Sequence, residues 1–376
     1  HTHGSLRHQM ASLCEAWGWT ERDHALCVLP LHHIHGIVNV VYCALWAGAG
    51  LDLMPKFDAE RTWACLADKP GGDGTGSGGA DGGAQAAPRV SFFSAVPTIY
   101  VKLLRAYDAW PPEKQREWGP AAAAVRVMIS GSAACPEPVM SRWREVTGAT
   151  VPLLERYGMT ETGMIISNPL HGHRQPGAVG QPLRFVEVRV VGTNGEELTL
   201  EELAAPAADA EPVQGQLQVR GPCLFAGYIN KPQATAEAFD GPWFRTGDVV
   251  SVCFPSQSGG DVPYYRIMGR SSVDILKSGG YKLSALEIET QLLSHPDIAE
   301  VAVVGKPDSE WGQRVAAVAV THDARHLALV DLRAWCRDRM AAYKIPKDLH
   351  LVPALPRNAL GKINKKTLLT DLAIID

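Results

Sequence analysis

Two periodicities alternate along this chain. Over residues 3–68 the apolar positions read as helix, strand, buried helix and strand, and Val28-Leu29-Pro30-Leu31 leads to a cluster of histidines at a strand end. Residues 37–53 are strongly apolar, but Asn39 and several glycines interrupt them. They read as a buried helix, not a membrane span. Residues 90–96 form a short strand run followed by a helix start at Pro97-Thr98. Residues 125–129 form another, feeding the loop Ser130-Gly131-Ser132-Ala133-Ala134. Such alternation predicts a layered α/β architecture with parallel sheets, whose ligands sit at the carboxyl ends of the strands.

Further along, residues 186–191 and 216–219 read as strands of a more β-rich subdomain, with an Ala/Pro-rich surface loop over 203–213 between them. A domain boundary is expected at Gly269-Arg270-Ser271-Ser272. Beyond it, Ser284-Ala285-Leu286-Glu287 has the spacing of a helix capping box. Strand runs at 301–304, 315–320 and 349–352, with a helix near 332–340, complete a small α+β unit. The expected fold class is therefore α/β. A large N-terminal domain over 1–270 combines layered α/β sheets with a β-rich subdomain, and a small mobile α+β domain occupies 271–376.

The length of 376 residues, with 46% hydrophobic and 20% charged, suits a globular protein of two domains. A formal net charge of −4 gives no reason to expect a nucleic-acid partner. Eight cysteines occur without a Cys-x-x-Cys pair, which points away from a zinc site or disulfide framework and towards a reducing compartment. Residues 69–88 contain eight glycines and almost no apolar side chains, the composition of a flexible insertion.

The densest chemistry lies in Glu155-Arg156-Tyr157-Gly158-Met159-Thr160-Glu161-Thr162. Gly158 allows a tight backbone turn, Tyr157 offers a flat face for a nucleobase, Thr160 a hydroxyl for phosphate oxygens, and Glu161 a hard oxygen ligand for Mg²⁺. Read alone, the string is equally an ordinary polar turn. It is followed in order by Trp243-Phe244-Arg245-Thr246-Gly247-Asp248, by Gly269-Arg270, and by Pro356-Arg357-Asn358-Ala359-Leu360-Gly361-Lys362-Ile363.

In that order the four motifs resemble those of the adenylate-forming superfamily of acyl-CoA synthetases, luciferases and peptide-synthetase adenylation domains. Leu31-His32-His33-Ile34-His35-Gly36, with Arg156 just before Tyr157, is most similar to the malonyl-CoA synthetases. The resemblance implies ATP, Mg²⁺ and coenzyme A as reaction partners, small molecules only. Gly131, Ser132 and Ala133 would form the adenine loop, where a plain Gly/Ser turn is the alternative. Tyr157, Gly158, Met159 and Thr160 would complete the nucleotide site. Asp248 would anchor the ribose, with Arg270 as an added donor. Glu161 would bind the metal, and Lys362 would bridge the acid and the α-phosphate. Lys365 and Lys366 read as solvated charges.

Ser272 falls at the hinge, where family members usually carry Asp or Lys. Lys277, Ser278, Gly279 and Gly280 resemble the loop lining the CoA tunnel, and a tight β-turn is compatible with that role. No Ser/Thr/Gly-rich phosphate loop ending in Pro-Lys-Gly occurs in the chain, which reads as lacking the N-terminal part of such a protein. No carrier segment follows Lys362. The resemblance implies a mitochondrial location, with the cytoplasm as the alternative.

Acid selection rests on Arg156 and His35. A guanidinium is planar, permanently charged and able to bind a carboxylate bidentately, so Arg156 suits the second carboxylate of malonate, with methylmalonate as a further substrate. A salt bridge with a nearby carboxylate such as Glu155 is the structural alternative for Arg156. For His35 the alternative is a core histidine satisfied by backbone. A general short- or medium-chain acyl-CoA ligase, a carrier-loading adenylation domain and a non-catalytic nucleotide-binding protein are the competing functional readings.

Overall fold

The computed structural model describes residues 1–69, 89–148, 153–175, 177–204, 212–254, 262–357 and 363–374. Most of the glycine-rich run, part of the 203–213 loop and Lys362 lie outside the described residues.

The first sheet has seven strands. In chain order they are β1 (His24–Cys27), β2 (Gly50–Leu53), β3 (Phe92–Ala95), β4 (Val127–Ser130), β5 (Leu153–Met159), β6 (Gly163–Ser167) and β7 (Gln181–Pro182), arranged in space as β2-β1-β3-β4-β5-β6-β7. β2 through β5 pair in parallel in that spatial order, and β6 and β7 are antiparallel additions. Strands β1, β3 and β4 are buried along their full length. That is why they read as continuous apolar runs without alternation. Each delivers its following loop to one edge of the sheet, which gathers His35, Ser94 and Gly131-Ser132.

The apolar stretch after the histidines divides in two. Residues Ile37–Tyr42 form a π-helical segment and Cys43–Ala47 an α-helix, which Gly48 closes with φ +73°. The chain then returns as the edge strand β2. Helix His3–Ala16 is capped by Thr2, which accepts from the Ser5 amide at 3.1 Å. Its buried face is unusually polar, with Ser5, Gln9 and Ser12 beside Leu13. Across the sheet, Trp63 and Trp143 stack at 5.3 Å, and the Trp63 Nε1 donates to the Leu103 carbonyl at 2.8 Å.

The second sheet comprises β8 (Glu187–Val191), β9 (Gln214–Arg220), β10 (Phe239–Asp240), β11 (Trp243–Cys253) and β12 (Tyr264–Arg270), all antiparallel. The third comprises β13 (Ile275–Ser278), β14 (Tyr281–Ser284), β15 (Ile298–Asp308), β16 (Gly312–Thr321) and β17 (Asp348–Leu351). Ser284 caps helix Ala285–Leu292 by accepting from the Glu287 amide at 3.1 Å, which is half of the expected capping box; the Glu287 carboxylate pairs with Lys344 at 2.8 Å instead. The helix expected near 332–340 runs instead from Leu329 to Cys336. No helix among the described residues is long and apolar enough to cross a membrane. All eight cysteines are free thiols.

Trp63 is fully buried within an aromatic cluster, so Trp63→Ala leaves a large cavity in the main core. The expected loss is about 3–5 kcal/mol in urea unfolding. A loss below about 1 kcal/mol would mean that neighbouring rings collapse into the space.

Candidate active site

The loops at the carboxyl ends of β1, β3 and β4 meet the middle of β5. There the Arg156 side chain lies against Gly131, so closely that a Cβ on Gly131 would overlap the guanidinium. Arg156 is 4% exposed, and its Nε and Nη2 have no hydrogen-bond partner. Burial pushes its pKa down to about 9. Glu155, the expected structural partner, belongs to a different environment. Successive side chains on a strand point to opposite faces, and the Glu155 Oε1 accepts from the Cys135 amide at 3.2 Å. Among the described residues no carboxylate pairs with Arg156. The pair with Glu155 is not formed.

His35 is buried beside this guanidinium. Its Nδ1 is hydrogen-bonded to Ser132 Oγ at 3.2 Å and its Nε2 to Ser94 Oγ at 2.8 Å. Two serine hydroxyls satisfy the ring, where a core histidine was expected to use backbone. Burial, then the charges of Arg156 and His33, hold its pKa well below the ordinary histidine value, so the ring is neutral. Ser132 itself has φ +67°, an uncommon conformation for a residue with a side chain. The His35 bond helps hold it there. Ala133, next in the loop, is exposed.

The distal half of β5 meets the second sheet. The Tyr157 hydroxyl donates to Asp248 Oδ2, while the tyrosine packs against the apolar cluster of β6, β9 and β11. Asp248 is paired with Arg270 in the β11–β12 register, and Arg270 Nε lies 3.3 Å from Asp248 Oδ1. Asp248 is 6% exposed and follows an irregularity of β11 at Thr246-Gly247, where the register against β9 shifts. That irregularity is fixed by Gly247 at φ +75° and by Thr246 Oγ1, which accepts from the Asp248 amide at 3.1 Å.

Gly158 does not form a left-handed turn. A Cβ there would overlap the Gly163 carbonyl across the β5–β6 pair, so glycine is needed for strand approach. The tight turn falls after Met159, where the Thr162 amide donates to the Met159 carbonyl at 3.3 Å. Gln9 clamps this turn from helix His3–Ala16. Its Nε2 donates to the Thr162 carbonyl at 2.6 Å, and its Oε1 accepts from the Met164 amide at 3.3 Å. Thr160 is exposed at the tip. The Glu161 Oε1 accepts from the Tyr228 hydroxyl at 3.0 Å, and the Phe225 amide donates to the Glu161 carbonyl at 2.8 Å. Sequence reading missed Gln9, Ser94 and Tyr228. A buried glutamine in an otherwise ordinary helix was the one available signal.

Ser272 lies in an exposed turn between β12 and β13. Lys277, Ser278, Gly279 and Gly280 form a two-residue hairpin between β13 and β14, with φ +56° at Gly279 and +84° at Gly280. That is the geometry of a type I′ turn. The Gly279 amide donates to the Trp311 carbonyl at 2.9 Å. Among the described residues, no hydrogen bond or ion pair joins this hairpin to Arg156, His35 or Asp248. The expectation that Lys365 is solvated fails, because its ammonium is buried between Asp274 and Glu289. Lys366 is exposed.

The chain belongs to the AMP-binding enzyme family, with residues 79–229 matching the AMP-binding enzyme and 287–362 the AMP-binding enzyme C-terminal domain. It is similar to malonate–CoA ligase ACSF3, mitochondrial, of Xenopus laevis, at 46% identity over 382 residues, covering 98% of this chain and 61% of that relative. The Homo sapiens protein of the same name is 43% identical over 383 residues, covering 98% and 62%. Among solved structures, ATP-bound MatB from Rhodopseudomonas palustris matches 100% of this chain and 65% of its own, with TM-score 0.79 and 30% identity. The chain thus spans 61% and 62% of the lengths of these two curated relatives.

Glu155 allows a test of the burial on the far side of β5. Burial pushes its pKa from 4.5 up to about 7. The folded state then binds the proton more tightly than the unfolded chain, so this stabilisation is complete below pH 4.5 and is lost as pH rises through about 7. Glu155→Gln should remove up to about 3 kcal/mol of the wild-type decline in stability between about pH 5 and pH 8. Chemical denaturation at both pH values checks it, and identical pH slopes for the two proteins would refute it.

Proposed function

We propose that the protein carrying this chain is an ATP-dependent malonate–CoA ligase that also accepts methylmalonate. The observation carrying this reading is the buried guanidinium of Arg156, whose Nε and Nη2 are unpartnered. A buried cation is costly unless an anion and hydrogen bonds compensate it. A substrate with a second carboxylate supplies both, and a monocarboxylate supplies neither.

In the proposed reaction one malonate carboxylate oxygen attacks the α-phosphorus of ATP, and pyrophosphate leaves with the cleaved P–O bond. Arg156 holds the distal carboxylate. Gly131, Ser132 and Ala133 border the base, Tyr157 supports Asp248 against the ribose hydroxyls, and Arg270 adds a donor there. Gly158 and Met159 bring Thr160 towards the phosphates, and Lys362 balances charge developing at the α-phosphate. In the second step the CoA thiolate attacks the adenylate carbonyl and AMP departs, with Lys277–Gly280 lining the path of the thiol arm. Ser272 is the proposed pivot between residues 1–270 and 271–376.

Glu161 is the proposed Mg²⁺ ligand. No cluster of three or more His, Cys, Asp or Glu side chains suited to a metal occurs among the described residues. A single carboxylate held by Tyr228 fits an ion whose remaining ligands are phosphate oxygens and water. Such an ion would neutralise the charge of the phosphates. The mitochondrial relatives from Xenopus laevis and Homo sapiens support a mitochondrial location.

Two variants of the full-length protein test the reading. Arg156→Met should lower kcat/KM for malonate by about 10³, while butyrate activity holds or rises. Parallel losses for both acids would favour a general short- or medium-chain acyl-CoA ligase. Lys362→Ala should slow adenylate formation by about 10²–10³ and spare thioester formation from supplied malonyl-adenylate. Equal loss in both half-reactions would remove Lys362 from its assigned step.

A further inference from the structure

Lys365 is a largely buried cation beside the last sheet, and no step of the proposed reaction uses it. Its Nζ lies 2.5 Å from Asp274 Oδ1 and 2.7 Å from Glu289 Oε1. All three side chains are almost closed to solvent, at 10%, 11% and 13% exposure. Each carboxylate has a second anchor. Asp274 Oδ2 accepts from the Arg270 amide at 3.0 Å, and Glu289 Oε1 accepts from the Val303 amide at 2.7 Å. Gly269 has no side chain, and a Cβ there would overlap Asp274. The cation is thus tied at once to the end of β12, to helix Ala285–Leu292 and to β15.

Lys365 opens the final helix, Lys365–Ile374. Just before it, Ile363 forms an antiparallel bridge with Arg357, and the Asn364 amide donates to the Pro356 carbonyl at 2.8 Å. Asn364 Oδ1 in turn accepts from the Thr367 amide at 3.3 Å, capping the helix. Leu368 packs with Ala302, Val304, Ala316, Val318 and Leu355. Lys362 precedes Lys365 by three residues.

We infer that Lys365 is a positioning residue for adenylation: its ion pairs with Asp274 and Glu289 fix Ile363 and Asn364, which follow Lys362 in the chain, relative to the strand that carries Arg270. Packing of Leu368 alone would hold the helix on the sheet and leave it free to turn or slide. The two ion pairs, at the helix's first turn, remove that freedom next to Asn364. A chain of contacts then runs from Asp248 through Arg270 and Asp274 to Lys365. The inference rests on the proposed role of Lys362.

The test measures the two half-reactions separately in the full-length protein, as malonate-dependent pyrophosphate release and as malonyl-CoA formation from supplied malonyl-adenylate. Lys365→Met should reduce the first by at least about 30-fold and the second by less than about 3-fold. Lys365→Arg, which keeps the charge and can span both carboxylates, should stay within about 3-fold of wild type in both. Because Lys365→Met leaves two buried carboxylates without a cation and can destabilise the fold, Glu289→Gln is the second variant. It keeps shape and one ion pair, and should slow adenylation selectively by about 5-fold. Equal losses in both half-reactions, or unchanged adenylation in Glu289→Gln and Lys365→Met, would overturn the inference. Lys362→Ala in parallel separates the two failures. If it also strikes both steps equally, the role of Lys362 falls. If it remains selective and the Lys365 variants do not, only the positioning role falls.

Discussion

A buried positive charge that pairs with no carboxylate among the described residues is the constraint around which this site is arranged. Arg156 is held on β5 between a glycine that makes room for it and a histidine that stays neutral. Each neighbour answers to that charge. A side chain at Gly131 would displace the guanidinium, and a protonated His35 would repel it. The two serines that hold His35 let the ring remain polar and uncharged. On the proposed reading, an acid with a second carboxylate would offset that buried charge, and an acid without one would leave it uncompensated.

Much of the architecture was legible in the sequence because burial and period coincide there. The runs at β1, β3 and β4 are fully buried parallel strands, and they announce themselves as unbroken apolar segments. Ser284 and Glu287 carry their capping geometry in four consecutive residues. Motif order brought His35, Gly131, Arg156, Asp248 and Arg270 forward, and the fold joins the first three at one place and the last two at another, linked through β5.

What remained hidden depends on pairs distant in the chain. Nothing near Lys365 in sequence distinguishes it from Lys366, yet one is buried between Asp274 and Glu289 and the other faces solvent. Tyr228 meets Glu161 across 67 positions and Gln9 meets Thr162 across 153. Gly158 was legible as a glycine with a purpose, but the purpose is the approach of β6, which no local pattern encodes. Local rules describe what a residue can do, and only the fold supplies its partner.

The pairing of Asp248 with Arg270 across β11 and β12 ends one residue before the turn containing Ser271 and Ser272. Points close to an axle travel little when the wheel turns, whereas points at the rim sweep wide arcs. With the proposed pivot at Ser272, rotation of the following chain would therefore carry the Gly279-Gly280 hairpin further than Asp248 and Arg270, which lie beside the pivot. A nucleotide gripped by those two side chains would rest at the quiet centre of such a movement. One intermediate could then be held while the groups facing it were exchanged.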